Sequence, residues 1–428
     1  MTPLRDWYNT ATMGQATSNG RPSSRDTPRH RSGARGKFAI IALGTSACFA
    51  AGFILLWSLG SIIVGGEGFP WASKAQAASS PVALQAQVDH PLEPLVDLRA
   101  FRDLSYVPVK AIHVTSYHAG RPDLLARLLE VADTTEINSF VVDIKDEAGT
   151  VAYNCEVPMA KSLGLVKPRI ADVDALIATL RQHNITPIAR IVCFQDSELA
   201  TARPDLAIQS IKGGVWKNAK GLSYTDPYRR EVWEYLVQIA EDVAKHGFTE
   251  IQFDYVRFPD GPGVKDTVYR DANGMKKADA ITGFLAYARE RLEPLGVWVS
   301  ADVFGMTLRV KDDQGIGQII EQIAHNVDIV CPMIYPSLYY LNSYGLPNPN
   351  ASPYELVTAA LKDAKTRLAG TGAMVRPWLQ DYSWGHVTYG VAEVKAQIRA
   401  AEEQGYTEWI LWDSSLTYTV GALRGQGS

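Results

Sequence analysis

The reading of this chain turns on Ile251-Gln252-Phe253-Asp254-Tyr255-Val256-Arg257-Phe258-Pro259. Its apolar residues run up to Asp254, and Pro259-Asp260-Gly261-Pro262-Gly263 then forbids any continuation of the strand. A carboxylate at the C-terminal lip of a buried strand is costly unless it is bonded or used in chemistry. Recurrence of this pattern along the chain decides what the stretch belongs to.

Seven further short apolar runs accompany it: Ala111–Thr115, Phe140–Ile144, Pro187–Phe194, Trp298–Val303, Asp328–Ile334, Met374–Leu379 and Trp409–Trp412. Between them lie segments with helical spacing, namely Asp123–Asp133, Asp172–His183, Arg230–His246, Ala278–Leu292, Gly317–His325, Pro353–Leu368 and Val391–Gln404. Short Ile/Val-rich strands alternating with helices of this length specify a parallel sheet covered by helices. Eight such strands in one domain predict a closed α/β fold, the (β/α)8 TIM barrel. A doubly wound sheet would carry a Gly-rich phosphate loop after its first strand. Here Ser116-Tyr117-His118-Ala119-Gly120-Arg121-Pro122 stands instead.

The first hundred residues have another character. Residues 1–37 are polar and carry Arg21, Arg25, Arg29, Arg31, Arg35 and Lys37 without an apolar period. Such a segment cannot bury enough apolar area to offset its chain entropy, and it reads as a disordered basic cytoplasmic tail. From Phe38 to Val64 no residue is charged, a length that spans a bilayer core as a helix. We therefore expect a transmembrane anchor over 38–65, a linker over 66–105 and the barrel over 106–428. The basic flank predicts a cytoplasmic N-terminus and an extracytoplasmic barrel. The rival reading is a signal peptide cleaved near Ala77, where Ala75-Gln76-Ala77 has the small-x-small form.

The formal net charge is only -4, and the most basic cluster precedes the anchor. Nucleic-acid binding is not suggested. Of four cysteines, Cys48 lies in the anchor, and Cys155, Cys193 and Cys331 cannot all pair with one another. No CxxC, H-x-H or Cys/His spacing is present, so the reading calls for neither a metal nor a cofactor.

In a barrel of this kind the working groups come from the C-terminal strand ends and the loops beyond them. Those ends supply Tyr117 and His118, then Asp143, Asp146 and Glu147, then Arg190 and Asp196, then Asp254 and Arg257. The later strands add Asp302, Tyr335, Trp378, Gln380, Asp381, Trp384 and Asp413. Acids set among Trp and Tyr suit a sugar site, where carboxylates act at the anomeric centre and aromatic faces pack on pyranose rings. Asp254 stands out because Arg190 and Arg257 fall in the same mouth. Asp143 could align Arg190. Asp146 and Glu147, just before Gly149, read as a solvated turn, and His113 as a bonded core residue.

Val142-Asp143-Ile144-Lys145-Asp146, Ala189-Arg190-Ile191-Val192, the strand-four stretch, Pro332-Met333-Ile334-Tyr335-Pro336 and Trp378-Leu379-Gln380-Asp381 together resemble the glycoside hydrolase family DUF4015. The resemblance covers essentially the whole barrel. It implies a fold distantly similar to the alpha-amylase and alpha-galactosidase barrels, whose nucleophilic aspartate ends strand four and maps onto Asp254. The amylase-like acid/base ends strand five and maps onto Asp302, although that residue is a glutamate in amylases. A chitinase-type D-x-D-x-E run is missing from strand four. The resulting expectation is a membrane-anchored retaining glycoside hydrolase acting on a polysaccharide or oligosaccharide. Asp254 and Asp302 would be catalytic. Asp143, Arg190, Arg257, Tyr117, Tyr335, Trp378, Gln380, Asp381, Trp384 and Asp413 would bind or orient substrate. The alternative is a carbohydrate-binding barrel without turnover.

Overall fold

The computed structural model describes residues 106–426, so the expected tail, anchor and linker lie outside the described residues. Among the described residues no helix is long and apolar enough to cross a membrane. The barrel strands are β1 (Lys110–Val114), β2 (Ser139–Lys145), β3 (Thr186–Val192), β4 (Glu250–Asp254), β5 (Trp298–Phe304), β6 (Ile329–Ile334), β7 (Trp378–Gln380) and β8 (Trp409–Trp412). Each pairs in parallel with the next. β8 returns to β1, Ala111 lying opposite Ile410, and closes the barrel. The expected (β/α)8 barrel is the observed one.

A helix follows each of the first seven strands: α1 (Pro122–Thr134), α2 (Val173–Gln182), α3 (Arg230–Ala244), α4 (Lys277–Leu292), α5 (Ile320–Ala324), α6 (Pro353–Arg367) and α7 (Val391–Glu403). Their starts are chemically legible. Proline opens α1 and α6, where its missing N–H costs nothing. The Asp172 carboxylate caps α2 by accepting from the Ala175 N–H at 2.9 Å. α5 is shorter than its apolar period suggests, because Gly315 and Gly317 adopt φ of 70° and 85° and Gln318 is turned inward. The seventh apolar run is also split. Pro377 has no N–H for the ladder, which leaves Met374–Val375 as a separate short strand.

Residues alternate between two cores, as the two-residue period of a strand requires. Ile112, Ala189, Ile191, Phe253, Ala301 and Leu379 face the helices. Ala111, Val141, Ile188, Cys331, Trp378, Ile410 and Trp412 fill the interior. Cys155, Cys193 and Cys331 are buried free thiols. At the N-terminal face Glu250 is clamped by Arg376 at 2.8 and 2.9 Å and by the Ser300 hydroxyl at 2.6 Å. At the opposite face the inward positions turn acidic, and the long loops after β3 and β4 are tied together by the antiparallel pair Gln209–Ser210 and Thr267–Val268.

Candidate functional site

Asp254 is the last residue of β4. The next residue, Tyr255, is buried and has φ of 49°, a left-handed conformation that strains an aromatic residue. That turn aims the Tyr255 N–H back at Asp254 Oδ1, at 2.6 Å. Arg190, inward-facing on neighbouring β3, donates to Asp254 Oδ2 through Nε at 3.0 Å and Nη2 at 2.6 Å. Both guanidinium donors converge on Oδ2 while the Tyr255 N–H holds Oδ1, so the carboxylate is tied at each oxygen.

Arg190 is the hub of the mouth. Its Nη1 donates to Asp143 Oδ1 at 2.6 Å and its Nη2 to Glu147 Oε1 at 2.8 Å. His113 Nε2 lies 2.9 Å from the same Asp143 oxygen, and its ring packs on Trp412 at 4.3 Å between centroids. Burial pushes the Asp143 carboxyl up. The adjacent His113 and Arg190 outweigh burial and bring it down to about 2. The expectation that Asp143 aligns Arg190 describes this arrangement.

Asp302 ends up beside Asp254. Phe253 lies opposite Ala301, so the next pair along the two strands is Asp254 and Asp302, both turned inward. Asp302 Oδ1 accepts from the Trp378 indole N–H at 2.7 Å, and Oδ2 is buried without a hydrogen-bond partner. Burial, then the Asp254 charge, hold the Asp302 carboxyl well above the usual carboxylate range, against the pull of Trp378 and Arg190. Its proton is therefore held more tightly than an ordinary aspartate's.

Glu147 is the residue that sequence reasoning passed over. It sits in the turn after β2, which is built by Asp146: Oδ1 accepts from the Ala148 and Thr150 N–H groups, each at 3.0 Å. Asp146 also pairs with Arg169. The turn is thus a braced support, and it delivers Glu147 to Arg190 with 26% of the side chain still exposed. Burial raises the Glu147 carboxyl, with Arg190 pulling down and Asp143 pushing up. The only available signal was its place two residues beyond the end of β2.

The remaining candidates divide into two groups. Tyr117 is 49% exposed on the one-turn helix Ser116–Ala119, and Trp384 is half-buried in the loop after β7; both offer ring surface near the mouth. Others are committed to the protein itself. Arg257 pairs with Asp260 at 2.8 Å and lies over Phe304. Trp378 is 1% exposed. It presents its N–H to Asp302 and no face to a sugar. Tyr335 is buried against Tyr382. Gln380 accepts from the Ser337 N–H and donates to Asn350 and Tyr382. Asp381 takes both donors of Thr419, and Asp413 takes Ser415 and Thr417. Asp196 caps the helix Ser197–Ala202 and pairs with buried Lys145 at 2.9 Å.

A cleft of about 490 Å³ lies between the loops after β5 and β6, lined by Phe304, Met306, Ile316, Met333 and Tyr340 among others. None of the acids around Arg190 lines it, so the carboxyl geometry locates the chemistry better than cavity size does. Among the described residues no group of three or more His, Cys, Asp or Glu side chains could hold a metal ion.

A family profile described as "Putative glycosyl hydrolase domain", DUF4015, matches residues 111–418. The glycoside hydrolase domain of PgaB (BpsB) from Bordetella bronchiseptica superposes with a TM-score of 0.52 at 13% identity, over 72% of this chain and 94% of that one. At that identity the likeness speaks to fold alone. A hypothetical protein from Ruminiclostridium thermocellum is 40% identical over 45% of this chain and 97% of its own, with a TM-score of 0.42. The alpha-galactosidase of Thermus thermophilus gives 16% identity, 73% and 60% coverage and a TM-score of 0.45. No curated protein matches the chain significantly.

Proposed function

This chain belongs to the DUF4015 family of glycosyl hydrolase domains, and from that premise we propose that its barrel cleaves glycosidic bonds of an extracytoplasmic polysaccharide or oligosaccharide with retention of configuration. One observation carries the reading. Arg190 clamps the Asp254 carboxylate at the C-terminal mouth, and a second carboxyl, Asp302, stands beside it on the next strand. Carboxyls gathered side by side at the mouth of a barrel are what glycoside cleavage employs.

In this proposal Asp254 attacks the anomeric carbon. Arg190 on Oδ2 and the Tyr255 N–H on Oδ1 hold the carboxylate in place. Asp302, whose carboxyl is held above the usual range chiefly by burial, stands beside Asp254, and the Trp378 N–H fixes its orientation. Carboxyls crowded on and beside neighbouring strands about 4.8 Å apart favour a covalent glycosyl-enzyme over a water held between two distant carboxyls. Tyr117 and Trp384 supply aromatic surface for further sugar rings.

Asp254→Asn keeps the shape while removing the attacking charge and one of the two accepting oxygens. It is expected to abolish turnover, by at least about 10³-fold, in a barrel that melts near the wild-type temperature and still binds sugar. Wild-type hydrolysis in a folded Asp254→Asn protein would sink the assignment, and the first-formed anomer, read by NMR, tests retention. A wild-type barrel that binds sugar and releases no product would be the non-catalytic alternative. The uncharged sequence from Phe38 to Val64 and its basic flank support the reading of an extracytoplasmic barrel, either tethered or released by cleavage near Ala77. A reporter fused after Ser80 should be active outside the cytoplasm.

A further inference from the structure

Retention requires one more group, a carboxyl that gives its proton to the departing oxygen and then takes one from water. That group must touch substrate. Asp302 is 1% exposed, with one oxygen bound to Trp378 and the other sealed in the interior. Among the three carboxyls that Arg190 holds, Asp143 and Asp254 each have 5% of the side chain exposed, whereas Glu147 has 26%. Glu147 Oε1 and Asp254 Oδ2 lie 2.8 and 2.6 Å from the same nitrogen, Arg190 Nη2. Their separation cannot exceed those two bonds laid end to end. It is therefore no wider than the roughly 5–5.5 Å of a retaining pair, and too short for the water that an inverting pair holds between its carboxyls. The Glu147 backbone is held as well, its carbonyl accepting from the Gln195 amide at 3.2 Å.

We propose that Glu147, in the turn after β2, is the general acid/base that works opposite Asp254, and that Asp302 is a positioning residue behind them. The inference rests on the glycosidase reading above. In the first step the Glu147 proton moves to the glycosidic oxygen as the bond from C1 to that oxygen breaks and a bond from C1 to an Asp254 oxygen forms. In the second, Glu147 takes a proton from water as the water oxygen bonds to C1 and the ester to Asp254 breaks. One water is consumed and both carboxyls return to their starting state. The raised affinity of Glu147 for its proton suits the first step, and its contact with solvent suits the second.

The test compares wild type, Glu147→Gln and Asp302→Asn on 2,4-dinitrophenyl and methyl glycosides of the common hexopyranoses in both anomers. A dinitrophenolate leaves without help and a methoxide does not. Glu147→Gln is expected to lose about 10²–10⁴-fold on the methyl glycoside and less than about tenfold in the burst of dinitrophenol. Azide should restore its slow second step, and its rate should lose the alkaline limb of the pH profile. Asp302→Asn should lose comparable activity on both probes. Equal loss on both probes for Glu147→Gln, with the leaving-group signature and azide rescue in Asp302→Asn, overturns the inference and leaves the glycosidase reading standing. Full turnover by Asp254→Asn would instead remove that reading. A wild type that releases no alcohol or phenol from any probe overturns both.

Discussion

Asp143 shows how a single buried acid is governed by its neighbours. Its carboxyl is held at about 2 because His113 and Arg190 together outweigh the cost of burial. A group whose pKa is depressed on folding stabilises the protein above its unfolded value, near 4, and that stability is lost as pH falls through the folded value. Wild type should therefore lose stability between about pH 4 and pH 2. Asp143→Asn should be less stable at pH 7, since Arg190 loses one of its carboxylates, and flatter in the acid window. Urea midpoints measured across that range check it, and an unchanged acid slope in the variant would assign the loss to another group. Sequence reasoning reached Asp143, Arg190 and Asp254 individually because each ends a strand. It missed Glu147 because a turn residue's partner depends on where the turn is carried.

The turn after β2 is the element that most directly supports the site. Gly149 has φ of 101°, and a Cβ there would lie 1.8 Å from Asp196 Oδ1. Asp196 cannot retreat cheaply, since it caps the helix Ser197–Ala202 and pairs with buried Lys145. Gly149→Ala should therefore cost about 3 kcal/mol, strain and displaced carboxylate combined, and should weaken activity by shifting Glu147. Gly164 provides the control. It has φ of 67° with nothing within 4 Å, and its alanine variant should cost only about 1 kcal/mol. Thermal melts of the two variants decide, and equal losses would mean that the clash with Asp196 is relieved by movement. The same reasoning explains the seventh strand, whose apolar composition reads as one run until Pro377 interrupts its ladder.

For the molecule as a whole, the two ends of the barrel divide stability from chemistry. Glu250 and Arg376 form a buried ion pair at the N-terminal face, joined by Ser300 on one side and by Glu408 and Tyr106 on the other. Removing one partner leaves a buried charge uncompensated, which typically costs about 3–5 kcal/mol. Glu250→Gln should lose stability of that order and keep kcat/KM within about threefold at temperatures well below its melting transition. A large loss of activity in the folded variant would mean that the N-terminal face is coupled to the mouth. Deleting residues 1–78 should leave a folded, soluble barrel, because the first strand begins at Lys110. Aggregation of that fragment, or loss of its cooperative melt, would show that the barrel needs the deleted segment.

What the chain determined by itself was the periodic part. Alternating short apolar strands and helical segments specify a barrel, and strand ends bring Asp143, Arg190, Asp254 and Asp302 to one mouth, since both follow from local pattern and parallel order. Pairing was decided only in three dimensions. Arg257 reads as a partner for Asp254 and is taken by Asp260; Trp378 reads as a sugar platform and is enclosed as the donor to Asp302. Glu147 reads as a solvated turn and is brought to Arg190. Side-chain partners and exposure depend on how far each loop reaches and what closes over it, and those distances arise only when the barrel is shut.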